Sequence, residues 1–167
     1  MTPELQWEAR SSGRLGLLYQ QHAAEAGRLA YLLTGDSELA RDLVQEAFLR
    51  MFGRFHDLRK PEAFHWYLKK TIVNLVRSHF RRKQVERAYV ERTRSASPVE
   101  PDVDARRDMW TALLRLSAQQ RAALVLRFYE DLTEARTAEV LDCPVGTVKS
   151  LVSRGLARLR EDLSREE

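Results

Sequence analysis

Apolar residues recur every three to four positions along most of this chain, the period that lines up one face of an α-helix. The pattern runs from Leu15 to about Gln84, fails between there and Asp104, and returns from Ala105 to Leu163. In the first stretch it predicts one helix from about Leu15 to Leu33, stopped at Thr34-Gly35, and a second from Ser37 to about Phe52 with Asp36 as N-cap. A third is predicted from Pro61, a residue suited to a first helical turn, to about Lys83. The interruption holds Arg92-Thr-Arg-Ser-Ala-Ser-Pro98 and then Pro101, with too few large apolar residues for a core and two prolines that oppose a helix. These features predict an all-α chain of two small helical domains, residues 15–84 and 105–165, joined by a flexible linker over 85–104.

In the second predicted helix, Leu39, Leu43, Val44, Ala47, Phe48 and Met51 form the core stripe. Asp42, Gln45, Glu46 and Leu49 follow one another at i, i+3, i+4 and i+7 on a different face. That face is either a solvated surface holding an incidental Leu or a docking surface whose carboxylates address a basic partner.

The third predicted helix buries Phe64, Leu68, Ile72, Leu75 and Val76 and turns Trp66, Lys69, Lys70, Asn74, Arg77 and Arg81 to solvent. Aromatics beside a basic row suit single-stranded nucleic acid, whose phosphates follow positive charge while its unstacked bases pack on rings. Phe64, His65, Trp66 and Tyr67 supply the aromatics, and Lys69, Lys70, Arg77, Arg81, Arg82 and Lys83 supply the charge. The plainer alternative puts Phe64 and Tyr67 in the core and lets the Arg-Arg-Lys end complement the helix dipole; it is preferred for Phe64 but not for Trp66 or Lys70.

In the C-terminal stretch, Ser117 and Gln120 have capping-box spacing and Thr133 is a second N-cap candidate. A short helix over Glu134–Leu141, a turn at Asp142-Cys143-Pro144 and a longer helix from Val145 to Arg160 make a helix-turn-helix. Val148, Leu151 or Val152, and Leu156 face inward, leaving Thr147, Lys149, Ser150, Ser153 and Arg154, with Arg158 further along, to approach a major groove and its phosphates.

Composition narrows the classes. Four scattered His, a single Cys, no glycine-rich phosphate loop and no metal-ligand spacing leave no constellation for catalysis, a metal or a cofactor. Cys143 cannot form an intramolecular disulfide and reads as a small packed residue, which fits a reducing cytoplasm. Residues Met1–Arg14 lack the apolar core of a signal peptide and no run approaches a membrane span, so neither export nor membrane insertion is expected. A net charge of +4 favours an anionic partner only mildly; its placement on two helices says more.

From Leu17 to Leu163 the chain resembles the extracytoplasmic-function sigma factors of bacteria, closest to their actinobacterial SigE-like group. Asp42-Leu-Val-Gln-Glu-Ala-Phe48 resembles the family segment that docks on the coiled coil of the polymerase beta-prime subunit. Tyr67-Leu68 through Asn74 to Arg81-Arg82 resembles its helix for reading and melting the minus-10 element, and Leu116–Leu126 with Gly146-Thr-Val-Lys-Ser150 its minus-35-reading domain. The resemblance implies core RNA polymerase (beta-prime and beta subunits), promoter DNA and an anti-sigma protein as partners, with no cofactor and no chemistry of its own.

Some positions depart from the family pattern. Trp-Leu-Tyr is common where this chain has Tyr67-Leu68-Lys69, so which aromatic captures a flipped base is open. Glu-Ile-Ala is replaced by Arg136-Thr137-Ala138, a turn Gly by Asp142, and a frequent Arg by Leu151, the last change removing one phosphate contact. Asp tolerates a left-handed turn better than most residues, and no accessory C-terminal domain is expected. Without the resemblance, the rival readings are a stand-alone helix-turn-helix repressor or activator and a protein-interaction module. The Asp42–Phe48 face and the aromatic-basic helix argue against the first, and the recognition helix against the second.

Overall fold

The computed structural model describes residues 3–54, 63–91 and 105–165, and every regular element among them is helical. The elements are α1 (Pro3–Thr34), α2 (Ser37–Arg54), α3 (Phe64–Glu91), α4 (Ala105–Arg115), α5 (Ala118–Leu124), α6 (Glu134–Leu141) and α7 (Val145–Ser164). They fall into two compact units, residues 1–72 and 73–167, divided within α3. The expected helix start at Pro61 and the prolines at 98 and 101 lie outside the described residues.

Two helices are longer than their apolar pattern predicts. α1 begins at Pro3 and not at Leu15: proline suits a first helical position, and Glu4, Leu5, Gln6, Glu8, Ala9 and Arg10 after it are strong helix formers, while the helix also runs through the less favourable Ser11-Ser12-Gly13. α3 passes the expected end at Lys83 and runs to Glu91, so the first part of the expected linker is helical. Residues 81–89 are all exposed, and no Gly or Pro interrupts them, so propensity alone sustains this extension.

In the first unit, the stop between α1 and α2 is built as the residues require. Gly35 takes φ 73°, a conformation glycine adopts without a Cβ clash, and its N–H donates to Tyr31 O at 2.8 Å. Asp36 Oδ1 accepts from the N–H groups of Glu38 at 2.9 Å and Leu39 at 3.0 Å, capping α2. Ala26, Leu29, Ala30 and Leu33 of α1 are buried at helical spacing, as are Leu43, Val44, Ala47, Phe48 and Met51 of α2. Phe64, Leu68 and Ile72 of α3 complete this core. The Phe48 ring lies 4.8 Å from Tyr19 and 6.0 Å from Phe64, centroid to centroid, linking the three helices.

In the second unit, Ser117 and Gln120 form the predicted capping box at the start of α5. α5 does not stop at Leu124 but widens into a π-type turn over Val125–Tyr129, where Glu130 N–H donates to Val125 O at 3.0 Å. This leaves Phe128 and Tyr129 exposed while Val125 and Leu126 are buried. The buried Arg121 closes α4: its guanidinium donates to the carbonyls of Leu113 at 3.1 Å, Leu114 at 2.8 Å and Leu116 at 3.1 Å. Leu113 O also accepts from Leu116 N–H at 3.3 Å, so the cation adds a second donor there and supplies donors to the helix-end carbonyls of Leu114 and Leu116. Burial pulls the Arg121 guanidinium below its ordinary pKa, yet an arginine remains a cation at neutral pH.

Candidate partner and nucleic-acid interfaces

The acidic face of α2 stands largely in solvent. Asp42, Gln45 and Leu49 are exposed, Leu49 by 70%, whereas Leu43, Val44, Ala47 and Phe48 between them are buried. Leu49 is thus a large apolar side chain standing in solvent beside polar neighbours. Glu46 is half-buried and accepts from Arg50 Nη2 at 2.6 Å, so its carboxylate is already paired within the helix. Such an exposed i,i+4 pair is weak and yields readily to a stronger partner.

On α3 the expected buried stripe is present, and Val73 joins it. The expected solvent row needs correction. Asn74 and Arg81 are exposed, but Trp66, Lys70 and Arg77 are half-buried, and the Lys69 side chain is only 12% exposed, its Nζ 3.3 Å from Glu25 Oε1. So many buried positions encircle this helix that the residues flanking them cannot all reach solvent. Of the aromatics in the first turn of α3, Tyr67 is the exposed one, at 46%, and its backbone carbonyl accepts from Thr71 Oγ1 at 2.7 Å.

The helix-turn-helix forms as expected. Thr133 Oγ1 accepts from Arg136 N–H at 3.2 Å to cap α6. Asp142 turns left-handed with φ 51°, so it does take the conformation for which glycine is usual. The half-buried Cys143 follows, and burial pushes its thiol pKa up, the behaviour of an inert packed cysteine. On α7, Val148 is fully buried, while Leu151, Val152 and Leu156 are all only half-buried. Gly155 packs so closely that a Cβ there would meet Leu124 Cδ1 at 3.0 Å.

Thr147, Lys149, Ser153, Arg154 and Arg158 are exposed. Ser150 is half-buried and spends its hydroxyl on Gly146 O at 3.0 Å, leaving its lone pairs as the outward-facing function. Lys149 Nζ lies 3.7 Å from Glu134 Oε2, and Arg158 Nε lies 3.5 Å from the buried Asp162. Arg154 and Arg158 also line a groove of about 380 Å³ with Arg115, Gln120, Ala157 and Glu161. Arg115 and Gln120 join the basic surface only through folding, and no spacing in the sequence links them to α7.

The family model for sigma-70 region 2 matches residues 18–86, and that for sigma-70 region 4 matches residues 106–159. The RNA polymerase sigma-E factor of Streptomyces coelicolor is 32% identical over 139 residues, covering 81% of this chain and 78% of that protein. The ECF RNA polymerase sigma factor SigM of Mycobacterium tuberculosis (strain H37Rv) is 33% identical over 148 residues, covering 85% and 73%. The chain belongs to the extracytoplasmic-function sigma factors. As a sigma factor it binds core RNA polymerase and directs promoter-specific transcription initiation.

Two solved structures share the fold of this sigma factor. The sigma factor RpoE of Bartonella quintana, solved with the anti-sigma factor NepR, aligns with a TM-score of 0.70 at 23% identity, covering 91% of this chain and 98% of that one. CnrH, solved with the cytosolic domain of CnrY, aligns with a TM-score of 0.64 at 19% identity, covering 95% and 96%. Among the described residues, no helix is long and apolar enough to cross a membrane.

Proposed function

We propose that this sigma factor docks on the beta-prime coiled coil of core polymerase through Asp42, Gln45, Glu46 and Leu49. Residues 15–84 serve as the docking and minus-10 domain, in which Trp66, Tyr67, Lys69, Lys70, Asn74, Arg77 and Arg81 bind and melt DNA. Residues 105–165 serve as the minus-35 domain, read out through Thr147, Lys149, Ser150, Ser153, Arg154 and Arg158. The observation that carries this reading is the solvent-facing Leu49 between exposed polar residues, on the helix whose opposite side is core. A stand-alone DNA-binding regulator has no need of that face.

The protein acts in the cytoplasm, contributes no catalysis of its own, and has an anti-sigma protein as a further partner, as RpoE has NepR. Run-off transcription with purified core polymerase tests the whole reading: the parent is expected to give promoter-specific transcripts. Changing Asp42, Gln45 and Glu46 together to Ala should weaken binding in a titration against core enzyme. Because these side chains lie off the core, folding stability should move by only about 0.5 kcal/mol. An unchanged core affinity would remove the docking assignment.

A further inference from the structure

The surface between α1 and α3 in the first unit carries a cluster of two imidazoles and a carboxylate, His22, Glu25 and His65. His22 and Glu25 sit one turn apart on the same face of α1, and His65, near the start of α3, meets them. One ligand-capable atom from each lies within 4.8 Å of the others, and all three residues are half-buried. His65 Nε2 is 3.4 Å from Glu25 Oε1, and the rings of His22 and His65 are 5.2 Å apart, centroid to centroid. The Phe64 ring, 5.7 Å from that of His22, walls the cluster on its inner side.

The geometry points to a site for one late first-row divalent cation, with Zn²⁺ the natural occupant, held by His22, Glu25 and His65. Two imidazoles and one carboxylate are borderline donors, matched to Zn²⁺, Co²⁺ or Ni²⁺ and poorly matched to Mg²⁺ or Ca²⁺, which prefer all-oxygen shells. Zinc binds such ligands at about 2.0 to 2.2 Å, which places tetrahedral ligand atoms about 3.4 Å from one another. The His65 and Glu25 atoms already have that separation. Rotation of the His22 ring closes the remainder, and water takes the fourth position.

Lys69 is the competitor: its ammonium shares Glu25 Oε1 with His65, so the metal must displace it. Binding therefore clamps α1 to the start of α3 and removes a carboxylate partner from Lys69. Since His22 and His65 are far apart in sequence, no motif spacing announces the site.

The test uses the full chain freed of metal with a chelator, then titrated with Zn²⁺, and with Co²⁺ as a spectroscopic probe. One equivalent of Co²⁺ should develop a visible ligand-field band that Zn²⁺ abolishes. At about a hundredfold excess over its Kd, Zn²⁺ should raise the thermal midpoint by about 5 to 10 °C. His22→Asn, Glu25→Gln or His65→Asn should each weaken binding by more than roughly tenfold, a loss that even an outer-shell partner can cause. Imidazole NMR of the parent chain keeps the test independent of mutant folding: Zn²⁺ should shift the His22 and His65 resonances and leave those of His79 in place. Absence of binding, binding that survives all three substitutions, or shifts confined to other histidines would each overturn the site.

Discussion

On α3 the Lys69 side chain is 12% exposed and leans on Glu25, whereas on α7 the Lys149 side chain is 64% exposed and only loosely paired with Glu134. The difference follows from how each helix is packed. α3 buries Phe64, Leu68, Ile72, Val73, Leu75 and Val76, most of its circumference over those turns, so its flanking polar residues are drawn into the structure. α7 buries only Val148, Gly155 and Asp162 along its length, and its polar row is presented in advance. A helix that is also core can bring Lys69 to DNA only by breaking an ion pair. A helix resting on a small capped frame needs no such step.

The largest expected effect removes the frame beneath α7. Arg121→Ala strands the carbonyls of Leu114 and Leu116 at the end of α4, takes one of two donors from that of Leu113, and should cost about 3 to 5 kcal/mol in urea unfolding, each buried unsatisfied group being worth about 1 to 3 kcal/mol. Binding to an upstream promoter element should fall with it. A loss near 1 kcal/mol would mean that α7 is held up by its apolar packing alone.

A middle-sized effect belongs to α3. Tyr67→Ala should depress open-complex formation by about 1 to 3 kcal/mol, the worth of one stacked base, while holoenzyme assembly stays as in the parent. Trp66→Ala should affect opening less, because Trp66 is half-buried where Tyr67 is exposed. Permanganate footprints on a linear promoter compare the two. Equal melting by Tyr67→Ala and the parent would return base capture to Trp66.

The smallest effect should come from single cations on α7. Lys149→Ala and Arg154→Ala should leave stability within about 0.5 kcal/mol. A side chain that meets a phosphate will, on removal, weaken binding evenly across sequences and lower the salt slope by about 1, whereas one that reads a base edge will penalise a single promoter position. If neither substitution changes binding on any upstream element at any salt concentration, the preformed row of α7 is not the reading surface.

The caps, the core stripes and the helix-turn-helix were legible in the residue order because each depends on neighbours within a turn or two. Asp36, Ser117, Gln120 and Thr133 cap where their short polar side chains reach nearby N–H groups, and Gly35 and Asp142 turn where left-handed backbone is required. Helix ends were less legible. Apolar periodicity reports burial, so it does not register the stretches of α1 and α3 that propensity sustains without it.

What the sequence determined by itself was therefore the all-helical class, the local stops and starts, and the faces of α2 and α7. The tertiary structure alone decided how much of each polar side chain reaches water, because exposure depends on what other elements lie alongside. It set Lys69 against Glu25, gathered Arg115 and Gln120 beside Arg154, and brought His65 to His22 and Glu25. Those meetings join residues from different helices, and a pattern with a period of one helical turn carries no record of them.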